Sequence, residues 1–284
     1  MIDRPIRRLG FAYNPTSEAA IDLRERAAGW CSVRSIEHWA LTAADLGGLL
    51  RELPTTEVLV VLGGDGTFLR AARAVVETGT PLLGVNVGKV GFLSKTETDG
   101  LDRVLGQLLK GDYRVEDRMA LEGRILRGGR DGAGERHLAL NDIVVARGAL
   151  ARVCRLDVSI DASHLATFVA DGLVVASPTG STGYSFSAGG PIVAPESRNL
   201  IVTPIAGYLS AIRSIVVEPT RVVRCRVQDA NEALVSIDGR DDVAIDVGDV
   251  VEVRAIEAPV RFVEPSGSLP FWDLVRRKVE LLPS

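Results

Sequence analysis

One segment near the start constrains the fold of this chain more than any other. Residues 58–67 read Val-Leu-Val-Val-Leu-Gly-Gly-Asp-Gly-Thr, an apolar run followed by glycines and an aspartate. A continuous apolar run of this length predicts a strand buried on both faces, as in parallel sheets covered by helices. A helix is predicted over Thr67–Glu77, because apolar side chains recur there at helical spacing. The segment therefore predicts a strand, a glycine turn and a helix in succession.

Short β-branched runs alternate with helical stretches through the first hundred residues, which is typical of a parallel sheet flanked by helices. The predicted strands are Ile6–Ala12, Val33–Glu37, Val58–Leu62 and Leu82–Val85. The predicted helices are Ser17–Ala28, Asp45–Arg51, Thr67–Glu77 and Leu101–Leu109. We therefore predict an α/β domain with a Rossmann-like parallel sheet over residues 1–112.

The pattern changes at about Tyr113 to many short β-branched runs broken by Gly, Asp and Pro. Such a pattern predicts a second, mainly antiparallel β domain, which we place at residues 113–267. A last helix is predicted over Pro270–Leu281, and we expect residues 268–284 to pack back on the first domain. Two domains also suit a chain of 284 residues.

Composition excludes several classes of partner. The 33 basic and 37 acidic residues give a formal net charge of -4, which provides no general attraction for nucleic acid or anionic membranes. The three cysteines form no CxxC pair, and no run of about 18 apolar residues occurs. We therefore expect a cytoplasmic protein that binds neither nucleic acid nor membranes and holds any anionic ligand locally.

The glycine turn after the 58–62 strand suits phosphate binding. Gly63, Gly64 and Gly66 allow close backbone approach to a pyrophosphate, and the following helix offers free N–H groups and a favourable dipole. An isolated Asp-Gly is more often a plain turn, but the doubled glycine between strand and helix favours the phosphate site. A carboxylate among phosphates must bind a metal or accept a proton from the attacking hydroxyl. Asp65 is therefore the candidate general base.

A second glycine cluster follows the next predicted strand, in residues 84–93. Its spacing is one residue short of a P-loop, and Val90 replaces the Ser or Thr that would hold magnesium. Alone it would more often be an ordinary turn. Two glycine turns at the carboxyl ends of successive strands, however, form the edge where open α/β sheets bind ligands. Asn86 is the candidate ligand contact there.

The third segment, residues 170–191, is rich in glycines and hydroxyl side chains. It is either an ordinary Ser/Thr loop or a polar, backbone-accessible binding surface. Asn141-Asp142 is either a strand-entry turn or an amide and carboxylate suited to ribose hydroxyls and base edges. Metal-binding histidine spacing, a GxSxG elbow and a GxGxxG fingerprint are all missing from the sequence.

Together the 63–66 turn, the 86–93 cluster, Asn141-Asp142 and the 171–191 segment resemble the NAD kinase family. The resemblance extends from Val58 to Arg240. Diacylglycerol kinases, sphingosine kinases and phosphofructokinases share forms of Gly-Gly-Asp-Gly. The long Thr/Ser/Gly segment is what narrows the resemblance to NAD kinases. It implies transfer of a phosphoryl group from ATP or polyphosphate to the adenosine-ribose 2′-hydroxyl of NAD. It also implies a divalent metal, Mg²⁺, bound mainly through the nucleotide phosphates, and a homodimer or homotetramer.

The resemblance assigns roles to particular residues. Asp65 would be the general base, and no residue is assigned to the metal. The candidate nucleotide-binding residues are Gly63, Gly64, Gly66, Arg70, Asn86, Asn141, Asp142, Arg152, Asp171, Thr179, Thr182, Gly183, Tyr184, Ser185, Ser187 and Arg240. Three of these depart from the family pattern, where Glu, Ala and Gln are usual in place of Asp142, Gly183 and Arg240.

Two alternatives accompany this interpretation. A lipid kinase of the Gly-Gly-Asp-Gly type would phosphorylate diacylglycerol or a sphingoid base in vesicles. A non-catalytic NAD(P) sensor would bind NAD tightly without phosphoryl transfer.

Overall fold

The computed structural model describes residues 6–88, 91–129, 134–148, 153–208, 212–230 and 232–280. The chain divides into two compact units. The first contains the residues up to Asp117 and those from Pro259 onward, and the second runs Arg118–Ala258. Across the part of the chain that is described, no helix is long and apolar enough to cross a membrane.

The first unit is an α/β unit built on one mostly parallel sheet. Its strands are β1 (Arg8–Tyr13), β2 (Glu37–Thr42), β3 (Val58–Leu62), β4 (Leu82–Asn86), β5 (Thr96–Glu97), β6 (Tyr113–Arg118) and β19 (Val260–Pro265). Its helices are α1 (Glu18–Val33), α2 (Leu46–Glu52), α3 (Asp65–Thr78), α4 (Leu101–Lys110) and α6 (Phe271–Glu280). The strand order is β2-β1-β3-β4-β19-β6, with β5 paired to β4.

The central strands of this sheet follow from their sequence. Every residue of β3 and β4 is buried, as expected for strands covered by helices on both faces. β3 pairs in parallel with β1 and β4, so its carboxyl end lies beside that of β4. Helix α3 turns Phe68, Ala72 and Val75 inward and ends at Gly79, whose φ of 69° is the left-handed conformation that glycine adopts without strain.

One predicted strand in this unit is wrong. Residues 33–37 were expected to be extended, but α1 continues to Val33 and β2 begins only at Glu37. Leu23, Ala27 and Cys31 are buried on one face of α1 at helical spacing. This apolar face extends beyond the predicted end of the helix, so the helix continues further than predicted. The chain then turns through Ser35, at φ 55°, and the Ile36 amide bonds the Cys31 carbonyl.

The second unit consists of two six-stranded sheets. One has the order β11-β10-β15-β18-β7-β8, and the other β14-β13-β12-β9-β16-β17. Its elements are β7 (Leu121–Leu126), β8 (Glu135–Ala139), β9 (Asp142–Arg147), β10 (Cys154–Ile160), β11 (Ser163–Ala170), β12 (Gly172–Ala176), α5 (Tyr184–Ser187), β13 (Leu200–Ile205), β14 (Ile215–Val217), β15 (Val223–Asp229), β16 (Ala233–Ile237), β17 (Arg240–Ile245) and β18 (Val250–Ala255). Side chains of both sheets share one core, which includes Leu156, Val175 and Val251. The predicted fold class, an α/β unit followed by a mainly antiparallel β unit, is confirmed.

The boundaries of the units differ from the predicted domains at two places. Residues 113–117 and 259–267 were assigned to the β-rich domain, but they belong to the first unit. The reason is that β6 and β19 are strands of the first sheet. Short β-branched runs do not reveal which sheet a strand joins, so the sequence pattern assigned both to the nearer antiparallel group.

Candidate active site

The glycine turn between β3 and α3 is tightly packed. The Gly63 amide donates to the Val85 carbonyl at 3.0 Å, which ties the turn to the neighbouring strand β4. A Cβ at Gly63 would lie 2.5 Å from the Thr67 hydroxyl, so only glycine fits there. Gly64 caps α3, and Asp65 is the first residue of the helix. The predicted strand, turn and helix are confirmed, and they place Asp65 at a helix N-terminus at the carboxyl edge of the sheet.

Backbone amides from the second glycine cluster hold the Asp65 carboxylate. Its Oδ2 accepts from the Phe92 amide at 2.9 Å, and its Oδ1 accepts from the Leu93 amide at 3.2 Å. A Cβ at Gly91 would lie 1.9 Å from Asp65 Oδ1, so the bare backbone of Gly91 is what lets the carboxylate sit there. Each carboxylate oxygen keeps a further lone pair, because a carboxylate offers about four acceptor sites. Asp65 is therefore fixed in orientation and can still accept a proton.

The other predicted residues of the first unit occupy different environments. Asn86 ends β4 and is 1% exposed; its Nδ2 donates to the Gly88 carbonyl at 2.9 Å. The buried Oδ1 of Asn86 has no partner among the described residues, and neither has the hydroxyl of Ser94. Arg70 and Gly66 are exposed on the first turns of α3. Within the described residues, Arg70 makes no hydrogen bond or ion pair, so its guanidinium is available to an anionic ligand.

In the second unit, Asp238 organises the turn that carries Asn141 and Asp142. Its carboxylate accepts from the amides of Leu140, Asn141 and Asp142, at 2.9, 2.7 and 3.2 Å. Asp238 lies in a turn between β16 and β17, where it has a φ of 52° and Gly239 one of 69°. Burial raises the pKa of Asp238. Asp238 was not predicted as a site residue, although the Asp-Gly turn signal at 238–239 could have marked it.

Asp142 is a buried carboxyl group beside a second carboxylate. It is 4% exposed. Burial, and next the negative charge of Asp238, raise the pKa of Asp142 to about 7, while the Tyr184 backbone amide, which donates to Asp142, opposes the shift. A group with this pKa changes its charge near neutral pH. The carboxyl group of Asp142 can therefore act as a hydrogen-bond acceptor or, when protonated, as a donor.

The Ser/Thr/Gly segment folds directly onto the 140–142 turn. Ser177 bonds both neighbouring carbonyls, its amide to Asn141 O at 2.8 Å and its hydroxyl to Leu140 O at 2.5 Å. A Cβ at Gly180 would lie 2.1 Å from the Asn141 carbonyl oxygen, so glycine is required for this contact. Gly183 also faces the turn, since a Cβ there would lie 3.6 Å from Asp142 Oδ2. The structure thus brings Asn141, Asp142 and this segment together.

Two buried polar atoms in this cluster lack a partner. They are the Asn141 side-chain oxygen and the Thr179 hydroxyl, which find none among the described residues. A buried polar atom without a hydrogen bond costs about 1–3 kcal/mol, so a polar ligand or water that bonds both is favoured. Tyr184 lies on the adjacent helix α5 with its side chain 47% exposed, available for stacking on a planar ligand. These features suit a nucleoside better than they suit a plain loop.

The remaining predicted residues divide into accessible and internal ones. The Thr182 hydroxyl bonds the Thr179 carbonyl at 3.4 Å, and Ser187 is exposed at the end of α5. Ser185 is fully buried, and its hydroxyl lies 3.3 Å from that of Thr203. Arg152 lies outside the described residues.

Asp171 and Arg240 each interact with a charged side chain of opposite sign. The Asp171 carboxylate forms a two-point ion pair with Arg147, at 2.8 and 3.2 Å. Arg147 was not singled out from the sequence, because its partner is 24 residues away. Arg240 begins β17, and its charge partly offsets the raised pKa of Asp238.

Comparison with known proteins identifies the family. Residues 10–113 match the model of the ATP-NAD kinase N-terminal domain, and residues 140–265 match that of the C-terminal domain. The chain belongs to the NAD kinase family. The resemblance drawn from the sequence is thereby confirmed.

Individual NAD kinases resemble the chain along most of its length. It is 42% identical to the NAD kinase of Moorella thermoacetica over 245 residues, covering 85% of this chain and 76% of that protein. It is 36% identical to the NAD kinase of Heliobacterium modesticaldum over 283 residues, covering 96% and 98%. An NAD kinase from Archaeoglobus fulgidus, solved with ATP, superposes with a TM-score of 0.78 at 25% identity, covering 97% and 100% of the two chains. Yeast NADH kinase, solved with NADH, has the same fold, with a TM-score of 0.80 at 24% identity over 99% and 88%.

Proposed function

We propose that this NAD kinase family member transfers the terminal phosphoryl group of ATP to the adenosine-ribose 2′-hydroxyl of NAD, with Asp65 as the general base. The observation that carries the proposal is the Asp65 carboxylate, oriented by the Phe92 and Leu93 amides beside a glycine turn at a helix N-terminus. A ribose hydroxyl is a weak nucleophile, so a positioned base is the group that this reaction most needs from the protein.

The first unit supplies the phosphate environment in this proposal. The N-terminus of α3 faces the developing negative charge, and it is already ordered when the substrate arrives. Arg70 adds a positive charge within reach of the phosphates bound at this end of α3. Asp65 receives the hydroxyl proton as the new oxygen–phosphorus bond forms and the bond to the leaving ADP oxygen breaks.

The second unit supplies contacts to NAD in this proposal. The unpartnered oxygens of Asn141 and Thr179 accept hydrogen bonds from ribose hydroxyls or from the adenine amino group. Asp142 accepts from a hydroxyl when ionised, Tyr184 stacks on a base, and Asp171, held by Arg147, offers a further acceptor. The family usually has Ala in place of Gly183 and the longer Glu in place of Asp142. Gly183 therefore leaves more room beside Asp142.

Magnesium enters as part of the ATP substrate in this proposal. Among the described residues no three His, Cys, Asp or Glu side chains are grouped to hold a metal ion. The triphosphate itself coordinates Mg²⁺, which neutralises part of its charge before transfer. Inorganic polyphosphate carries the same linked phosphates and is therefore tested as an alternative donor.

Two further properties complete the proposal. We propose a homodimer or homotetramer, which light scattering after size-exclusion chromatography tests directly. We also propose a cytoplasmic protein, since Cys31, Cys154 and Cys225 are all free and buried, as is usual in a reducing compartment. Localisation of a tagged chain by fractionation tests this.

The decisive experiment couples product formation to an NADP-specific dehydrogenase. Purified protein is incubated with ATP, Mg²⁺ and NAD, beside Asp65→Asn and the control Asp22→Asn, which changes an exposed carboxylate on α1. Asp65→Asn should lower turnover by roughly 10²–10⁴ while NAD affinity stays within a few-fold, because only the base is lost. The control should match wild type.

Other outcomes point elsewhere. Near-wild-type turnover of Asp65→Asn contradicts the assignment of the base. NAD binding without NADP formation from either ATP or polyphosphate indicates a sensor, and phosphorylation of diacylglycerol vesicles indicates a lipid kinase.

A further inference from the structure

The loop that holds Asp65 has no regular structure of its own. Residues 91–95 form neither helix nor strand, yet their Phe92 and Leu93 amides carry both hydrogen bonds to the base. Something outside the loop must therefore fix its backbone.

One anchor comes from helix α6. The Phe271 ring packs on the Phe92 ring, with centroids 6.5 Å apart and planes tilted by 50°. Lys278, two turns further along α6, places its Nζ 5.6 Å from the centre of the same Phe92 ring. Offset or tilted ring pairs and cations over rings are both attractive arrangements. The Phe92 side chain is therefore held by two residues of α6, and the Phe92 amide is one of the two that bond Asp65.

The other anchor is a buried ion pair at Lys95. Its Nζ contacts Glu264 of β19, and the two side chains are only 8% and 4% exposed. Arg114 also bonds the Glu264 carboxylate, at 2.7 and 3.1 Å. The Lys95 amide donates to the Gly84 carbonyl at 3.0 Å, which ties the end of the loop to β4. Removing one partner of a buried ion pair is strongly destabilising, so Lys95 ties the end of the loop to Glu264 of β19.

We propose that Phe271 and the Lys95–Glu264 pair are positioning residues for Asp65, which act by fixing the backbone of the 91–95 loop. The inference rests on the proposed function, because it assumes that Asp65 is the base. A base displaced by about 1 Å can lose roughly 10²-fold in rate, so anchors that touch no substrate can still control turnover.

Variants of the two anchors test the proposal on the full-length protein. Phe271→Ala and Lys95→Met remove one anchor each; in Lys95→Met the Glu264 carboxylate keeps Arg114 as its partner. Arg276→Ala is the matched control on α6, since Asp273 is the one ion-pair partner of Arg276 among the described residues. Each anchor variant should lower kcat by roughly 10- to 100-fold with KM for NAD within about threefold. Phe271→Leu, which retains an apolar contact, should recover most of the loss, and the control should match wild type.

A double-mutant cycle separates positioning from general damage. In the Asp65→Asn background the base is already lost, so adding Phe271→Ala or Lys95→Met should change residual turnover by less than about twofold. An equal fold-loss in both backgrounds overturns the proposal, as does wild-type kcat in both single variants. If Phe271→Ala does not fold, as judged by thermal unfolding, Lys95→Met decides the question.

Failure of the two proposals can be told apart. If wild type makes no NADP, the proposed function fails. If wild type makes NADP and Asp65→Asn does not, but the anchors change KM rather than kcat, only the positioning proposal fails.

Discussion

Lowering the pH from 8 to 6 should weaken NAD binding through one buried carboxyl group. Burial and the neighbouring Asp238 charge raise the pKa of Asp142 to about 7. Asp238 also has a raised pKa, but among the described residues three amides hold its charge, whereas Asp142 receives one, from Tyr184. Arg240 adds a positive charge on the Asp238 side. The proton taken up near neutral pH therefore resides mainly on Asp142.

The size of the effect follows from the fraction of Asp142 that is ionised. In the proposed complex the carboxylate form of Asp142 accepts a hydroxyl hydrogen bond, and this charged acceptor binds the hydroxyl more strongly than the neutral acid does. With a pKa of about 7 for Asp142, roughly nine-tenths of the groups are ionised at pH 8 and one-tenth at pH 6. The apparent Kd is the intrinsic Kd divided by the competent fraction, so it should rise about tenfold, or about 1.4 kcal/mol.

Calorimetric titration with NAD at several pH values and constant ionic strength measures this directly. Asp142→Asn cannot ionise, so its Kd should be flat over the same range. A slope that persists in the variant would belong to groups other than Asp142. Wild-type Kd constant within about twofold, or an equal slope in Asp142→Asn, would show that Asp142 does not control NAD binding.

Two other substitutions test the packing of the site. Gly91→Ala should lower NADP formation by roughly 10²-fold, because its methyl group would occupy the position of Asp65 Oδ1. Gly106→Ala, in an open position of α4, is the control and should retain full activity, so equal turnover of the two variants would contradict the steric argument. Asp238→Ala should lower the free energy of unfolding by about 2–3 kcal/mol and weaken NAD binding, since the amides of the 140–142 turn lose their acceptor. Urea unfolding and calorimetry measure both effects, and unchanged NAD affinity would show that the turn does not bind the ligand.

The first unit could be predicted well from sequence because its signals are local. The β3 strand, the glycine turn and α3 follow from an apolar run, doubled glycines and helical spacing within 20 residues. The placement of β19 could not be predicted, since pairing with β4 depends on residues about 180 positions apart. Non-local strand pairing leaves no periodic trace in the sequence.

Residue composition indicated candidate binding residues in the second unit, but it could not assign a direction to each side chain. Ser185 and Ser187 read alike in the sequence, yet the first is fully buried against Thr203 and the second is exposed. Asp238 was not predicted as a site residue, yet it supports Asn141 and Asp142 from a distant hairpin. Such roles depend on tertiary contacts and become visible only in the folded chain.

The position of β19 determines when the sheet of the first unit can be completed during synthesis. This strand lies between β4 and β6, and residues 118–258 separate it in sequence from the rest of its sheet. During synthesis the first unit therefore waits with an open edge on β4 while the whole second unit emerges. The sheet can close only after Pro265 has left the ribosome. An arrested or truncated chain that stops before β19 would expose two buried strand edges, and it should be a preferred substrate for chaperones and proteases.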